Sequence, residues 1–425
     1  MTLETQKKRM ITISDFLIII AFITNIISFA YQHINARYTV SELFGSAGGN
    51  ISTAPRNNFI VSGLFLVFML CFFFAALLAL TKKKKLNHAM LCILVLIVFG
   101  VFWTILAATK ISIVTVVKSP ISPVVMIMSV CVFIGYDERA WETVKKMAFI
   151  ASFIYTLMAT YEMLRFLIVF GFGSRLMLSG ALYGIIAAIF LAYFTLLFNE
   201  EALKKHKFIL AVQLVTILSI VVILQSRSWV VHALILFGIF VIQLSKRHKH
   251  KVAFFIGVGI LALLIVILMF DYFIKMSQGL LDRIGHDSRT GQLEAFFSQV
   301  SFKDLMLGKG MQAGYACFGD QNYQFLDNLL LLNMFKYGIV PTIAYLMLMI
   351  VPIFYGLTHR KSEASKGIFF FVAWIVIMCG FAIFVSYSNN TYNFLIYITM
   401  GRFIFLRERD KAESKSLKLN ANARK

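Results

Sequence analysis

The sequence predicts an all-α polytopic integral membrane protein, read as a single membrane domain over residues 1–425. Three observations carry this. The chain is 60% hydrophobic and 14% charged, with a mean hydropathy of +0.81; soluble domains sit near about 45–50% apolar and about 25% charged. A soluble fold this apolar would expose large oily patches. The apolar residues also come in runs close to the roughly 20 residues that a helix needs to cross a bilayer. Finally, no long alternating pattern marks a barrel, and lipid admits only helices and closed barrels.

Twelve apolar runs follow one another, about 12 helices in all. The first, 11–30, comes after a basic start, MTLETQKKRM. It lacks a small-residue cleavage site and is read as a first helix, not a removed signal peptide. Runs at 58–80, 88–108 and 119–136 come next. The last of these opens on SPISP, whose prolines predict an irregular first turn. Runs at 147–170, 177–198, 208–225, 228–244 and 252–271 complete the first nine. A long polar segment, 272–327, precedes runs at 328–356, 367–386 and 392–406, the last of them short. No internal repeat is evident.

Orientation follows from the basic loops. QKKR (6–9), KKKK (82–85), DERAWETVKK (137–146), KKHK (204–207), KRHKHK (246–251), HRK (359–361) and a basic tail, 407–425, all fall on one side if every run spans. They hold most of the 41 Lys and Arg residues. Both termini are then cytoplasmic, and the net charge of +21 is a topology signal with an attraction to anionic membrane lipid. It is not a nucleic-acid signal, because no basic face is interleaved with aromatics in a soluble domain. Cysteines are scattered and odd in number, without metal-ligand or disulfide spacing. There is no P-loop, HExxH or GxSxG, and neither a metal nor another cofactor is expected.

Two sizeable outer loops result, 31–57 and 272–327. Within the second, Leu293, Phe296 and Phe297 form one stripe of a short helix over 290–300, with Thr290 as its expected N-cap. LGKGM (307–311) reads as a tight glycine turn. Connecting loops are usually much shorter, which argues that this segment has a task.

Arginines at the outer ends of spans run against the positive-inside rule. Arg165 has Glu162 at helical spacing, which predicts a structural ion pair. Arg175, Arg227 and Arg289 have no such carboxylate partner at helical spacing, though Asp287 sits near the last; Arg283 stands in the same outer loop. Guanidinium groups grip phosphate oxygens bidentately and keep their charge, so a set of them at one leaflet suits a lipid-linked diphosphate. Snorkelling to headgroups is the plain alternative. His286 and Asp327 are candidate bases; Asp327 equally suits the N-cap of the tenth helix. His232, a turn from Arg227, is a supporting candidate. Trp229, Tyr272, Tyr315 and Tyr323 suit either sugar stacking or an interfacial aromatic belt.

SRLMLSGALYG (174–184), QSRSW (225–229), DSRTGQLEAF (287–296), LGKGM and DNLLLLNMFKYGIVPTI (327–343) occur in this order. Together with the large loop between the ninth and tenth runs, they resemble the Wzy-type O-antigen and capsule polymerases and the related O-antigen ligases. The likeness covers about 170–425; the N-terminal third shares only its hydrophobic helices. It implies a GT-C-like glycosyltransferase of the bacterial cytoplasmic membrane, needing no metal or nucleotide sugar. The implied donor is an undecaprenyl-diphosphate-linked oligosaccharide. A chain-length regulator and a flippase of the same pathway are the implied partners. Carried over, Arg175, Arg227 and Arg289 match the arginines that hold the diphosphate, Arg289 also serving the chemistry. Gly338 matches a close helix turn.

Two departures bear on the reading. Ligases place a His-Asn pair before the tenth span, and this chain has Asp327 and Asn328 there. Neither Arg283 nor Arg289 has a glycine eleven residues on, as some polymerase loops do. A ligase passing the glycan to lipid A-core, and a flippase, are the alternatives. Transporters usually show internal repeats and charges at mid-membrane; here the charges gather near the outer boundary, apart from Asp15 in the first run.

Overall fold

The computed structural model describes residues 12–34, 59–81, 88–119, 121–170, 180–223, 227–245, 288–326, 328–359, 364–380 and 391–422. In chain order the first helices are α1 Ile13–Ile34, α2 Phe59–Leu80, α3 His88–Ala108, α4 Ile113–Lys118 and α5 Val124–Ile127, the last running into a 3-10 segment, Met128–Tyr136. Next come α6 Glu138–Phe170, α7 Gly180–Phe198, α8 Glu200–Lys205, α9 Lys207–Ile223 and α10 Arg227–Ser245. The remainder holds α11 Ser288–Gln299, α12 Phe302–Leu307, strands β1 Tyr315–Cys317 and β2 Asp320–Tyr323, then α13 Leu329–Tyr337, α14 Ile339–Thr358, α15 Ala364–Gly380 and α16 Thr391–Asn422.

The protein is mostly helical and embedded in a membrane. Five helical stretches among the described residues are long and apolar enough to cross: Ile13–Tyr31, Phe59–Leu80, Ala89–Ala108, Glu138–Arg165 and Ile339–Thr358. Shorter apolar helices cover Val124–Tyr136, Gly184–Phe198, Lys207–Ile223 and Trp229–Ser245. The run at 252–271, most of the loop at 31–57 and the first part of the 272–327 loop lie outside the described residues.

Each helix is placed by what it buries. On α1, Ile18, Ala21, Phe22, Asn25 and Phe29 recur at helical spacing and are buried, whereas Phe16, Ile23 and Ile27 are exposed. Its first turn is fixed by a reciprocal cap: Thr12 Oγ1 accepts from Asp15 N at 3.2 Å and Asp15 Oδ2 accepts from Thr12 N at 3.1 Å. Asp15 Oδ1 also accepts from Thr143 Oγ1 at 2.7 Å, tying α1 to α6. The acidic group in the first span is thus structural. Phe72 of α2 packs on Phe22 at 5.9 Å and stacks on Phe394 of α16 at 5.5 Å. Every residue from Gly184 to Asn199 is buried, so α7 is enclosed by neighbours on all sides. Polar pairs cross the helices: Tyr155 donates to Asn25, and Gln213 Nε2 donates to Ser152 Oγ at 2.5 Å and Thr156 Oγ1 at 3.2 Å.

Four expectations shift. The run at 119–136 is one α-turn followed by nine residues of 3-10 helix, so the irregularity expected for its first turn extends over most of its length. At about 1.5 and 2.0 Å of rise per residue, this stretch reaches about 24 Å. It packs backbone to backbone on α16: a Cβ at Gly401 would fall on the Val132 carbonyl, and one at Gly135 on that of Ile398. The run at 328–356 is two helices broken at Gly338, so the spanning helix starts only at Ile339. The polar stretch 137–146 is the start of α6, capped by Asp137, whose Oδ1 accepts from Arg139 N at 3.0 Å. The short final run continues without a break into the basic tail, as far as Asn422.

Candidate functional site

The described part of the long polar segment 272–327, residues 288–326, is a small packed unit. The helix expected over 290–300 is present, but it starts at Ser288, so Thr290 sits inside its first turn and is not the cap. Phe296, fully buried, meets Tyr315 at 5.2 Å and Phe335 at 5.3 Å, both edge to face. Ser301 and Asp304 form a capping box that starts α12, and the two hydrogen bonds from Ser301 hold the Asp304 carboxyl below its usual range. The LGKGM turn forms as expected, with Gly308 at φ 80° and Gly310 at φ 95°. Lys309 N and Gly310 N each donate at 2.8 Å to the carbonyls of Phe335 and Lys336.

This turn lies against the break between α13 and α14. Gly338 has φ 92° and ψ 168°. A Cβ at Gly308 would stand 2.6 Å from the Tyr337 carbonyl carbon, and one at Gly338 would stand 2.9 Å from the Met306 carbonyl oxygen. Both backbones need the space that only glycine leaves. Tyr337 then anchors the unit to the bundle: Trp103 Nε1 of α3 donates to its carbonyl at 3.0 Å, and its hydroxyl donates to the Ile121 carbonyl.

Lys336, which the sequence reading passed over, is fully buried. Its Nζ donates to Met311 O at 3.0 Å and to the Ala313 carbonyl. Burial pulls the ammonium down to about 7, while the two carbonyls favour keeping the proton.

Beneath α13 lies a small cavity of about 60 Å3 between α3, α5, α14, α15 and α16. Its polar lining includes Ser122, Asn333, Thr342, Tyr345, Trp374 and Tyr397, and none of its described lining residues is charged. Trp374 Nε1 donates to Tyr345 Oη at 2.8 Å, and the Tyr345 and Tyr397 rings meet edge to face at 5.8 Å. Rings with hydroxyl and amide groups between them can stack on and hydrogen-bond a small neutral group.

The residues expected from the sequence fare unequally. Glu162 and Arg165 make the predicted ion pair at 3.1 Å, with Glu162 2% exposed and Arg165 also over the Tyr161 ring. Asn328 caps α13, its Oδ1 accepting from Leu331 N at 3.1 Å, so the cap considered for Asp327 belongs to its neighbour. His232 is buried, with Nδ1 3.3 Å from the Tyr193 hydroxyl, and Trp229 packs on it at 5.3 Å. Trp229 and Tyr315 are core residues, neither an interfacial belt nor a stacking surface; Tyr315 donates to Phe325 O at 2.8 Å. The Trp229 Nε1 group has no partner among the described residues. Arg227 opens α10 and Arg289 stands in the first turn of α11; only their backbone positions are described. Arg175, Tyr272, Arg283, His286 and Asp327 lie outside the described residues.

No family model, no curated protein and no solved structure matches the chain.

Proposed function

We propose that the protein is a membrane glycosyltransferase that joins undecaprenyl-diphosphate-linked oligosaccharide units at the outer face of the bacterial cytoplasmic membrane. The observation that carries this reading is the uncharged cavity lined by Tyr345, Trp374, Tyr397 and Asn333, roofed by the helix that Asn328 caps. Its hydroxyl, indole and amide groups are of the kind that bond and stack on a sugar ring. In this reading Arg175, Arg227 and Arg289 grip the diphosphate. An acceptor hydroxyl attacks the anomeric carbon of the donor, with Asp327 or His286 taking its proton. The new glycosidic C–O bond forms as the old bond from carbon to the diphosphate oxygen breaks, and undecaprenyl diphosphate leaves. The arginines stabilise the negative charge that grows on the leaving oxygen.

The test uses the full chain in lipid vesicles with a synthetic undecaprenyl-diphosphate oligosaccharide. A ladder of longer lipid-linked products is expected, slowed by about 10²-fold or more in Arg289→Ala. Transfer only to an added lipid A-core acceptor would make it a ligase. Movement of the lipid between leaflets without any transfer would overturn the enzyme reading in favour of a flippase.

A further inference from the structure

A second groove, of about 700 Å3, lies at the far end of α14 from Gly338, where α14 meets the basic part of α16. Its floor is apolar: Ile350, Val351 and Phe354 of α14, with Phe354 65% exposed. Its lip is cationic. Arg407 and Lys411 stand one helical turn apart on α16, with His359 at the end of α14 opposite.

The charges around the groove are not evenly matched. Asp410 also lines it, but its carboxylate accepts a hydrogen bond from Tyr355 and lies 3.8 Å from Arg409. Arg402 and Arg409 lie 3.6 and 3.8 Å from Glu138. Arg407 and Lys411 have no ion-pair partner among the described residues. They are left facing a groove whose one carboxylate is already engaged.

Depth decides what fits. Arg407 is about 24 Å along α16 from Thr391, and α14 is about 29 Å long at 1.5 Å per residue. The hydrocarbon core of a bilayer is about 30 Å thick, so cationic lip and apolar floor meet near its boundary. A ligand there needs a negative headgroup joined to a hydrocarbon chain.

We infer that this groove is a binding site for one anionic phospholipid, its phosphate held by Arg407 and Lys411 and an acyl chain laid along Ile350, Val351 and Phe354. The inference stands apart from the glycosyltransferase reading. Lipid held there ties α16, and through it the 3-10 segment, to α14, one wall of the uncharged cavity.

The test is native mass spectrometry of the full chain released from vesicles of phosphatidylcholine with a minor fraction of phosphatidylglycerol. The wild-type chain is expected to retain one phosphatidylglycerol in preference to phosphatidylcholine. Arg407→Ala/Lys411→Ala weakens that retention by about thirtyfold, from about a factor of five for each cation near the surface. Arg407→Lys/Lys411→Arg retains the lipid. Val351→Trp, which fills the floor and leaves the cations, releases it. Lys204→Ala/Lys207→Ala removes equal charge from exposed positions elsewhere and leaves retention unchanged. Equal loss in that control would mean a diffuse field and overturn the site, as would a wild-type chain that does not distinguish the two lipids. Retention by Val351→Trp would mean an anion site without a chain, and would overturn the lipid.

Discussion

Lys336 shows how one side chain can hold a turn together from inside. Its ammonium bridges the carbonyls of Met311 and Ala313, in the same turn whose amides bond back to Phe335 and Lys336. Lys336→Met leaves those carbonyls without their donor and is expected to cost about 2 kcal/mol. Faster amide exchange at Lys309 and Gly310 is the measurement. Burial lowers the folded-state value from 10.5 to about 7. Between these values the unfolded chain holds a proton that the folded chain has lost, so stability climbs as pH rises from about 7 and is level below it. Lys336→Met removes the slope; an unchanged slope would mean that the carbonyls hold the proton against burial. None of this was legible in KYG, because a lysine in an apolar run reads the same whether it snorkels or caps a loop. Asn328 was legible only as half of a pair with Asp327, and local spacing does not say which of two adjacent cap formers closes the helix. The Glu162–Arg165 pair was legible, since both partners lie on one helix and helical spacing alone brings them together.

Elements depend on close backbone contact at two places. Gly308 and Gly338 face each other across the junction of α12 with α13 and α14, both in dihedral regions that are open to glycine almost alone. Gly308→Ala and Gly338→Ala are each expected to destabilise by about 1–3 kcal/mol, read as lower thermal midpoints in detergent. Because both substitutions disturb one contact, the double variant is expected to lose less than the sum; strict additivity would mean that the two glycines act independently. The other close contact sets Gly135 and Gly401 between the 3-10 segment and α16, in the manner of small residues at membrane helix crossings. Hydropathy marked these runs but not their ends. It joined α13 to α14, because averaged apolarity does not see a single residue that turns the chain. It also started α6 too late, because Glu138 and Arg139 are polar yet helical.

For the whole molecule, orientation is the open quantity that a direct measurement decides. The basic clusters predict that Ser414 lies inside and that the turn joining the antiparallel pair β1–β2 lies outside. Phe318, 63% exposed at that turn, is a usable reporter. Phe318→Cys is expected to react with a membrane-impermeant maleimide added to intact cells, and Ser414→Cys only after permeabilisation; the reverse pattern would invert the topology and move the proposed chemistry to the cytoplasm. The sequence by itself determined that the chain is a helical membrane protein, roughly where its apolar runs lie, and that a structured helix and a glycine turn stand in the long loop. These properties are local, written in composition and in spacings of a few residues. Only the tertiary structure decided that Lys336 is interior, that 119–136 winds as 3-10 helix, and that Ser122, Asn333, Tyr345, Trp374 and Tyr397 line one cavity. Those residues come from separate helices and the turn before α5, and no short-range pattern connects them. They meet because their helices bury small and aromatic faces against each other, and that packing is a property of the whole bundle.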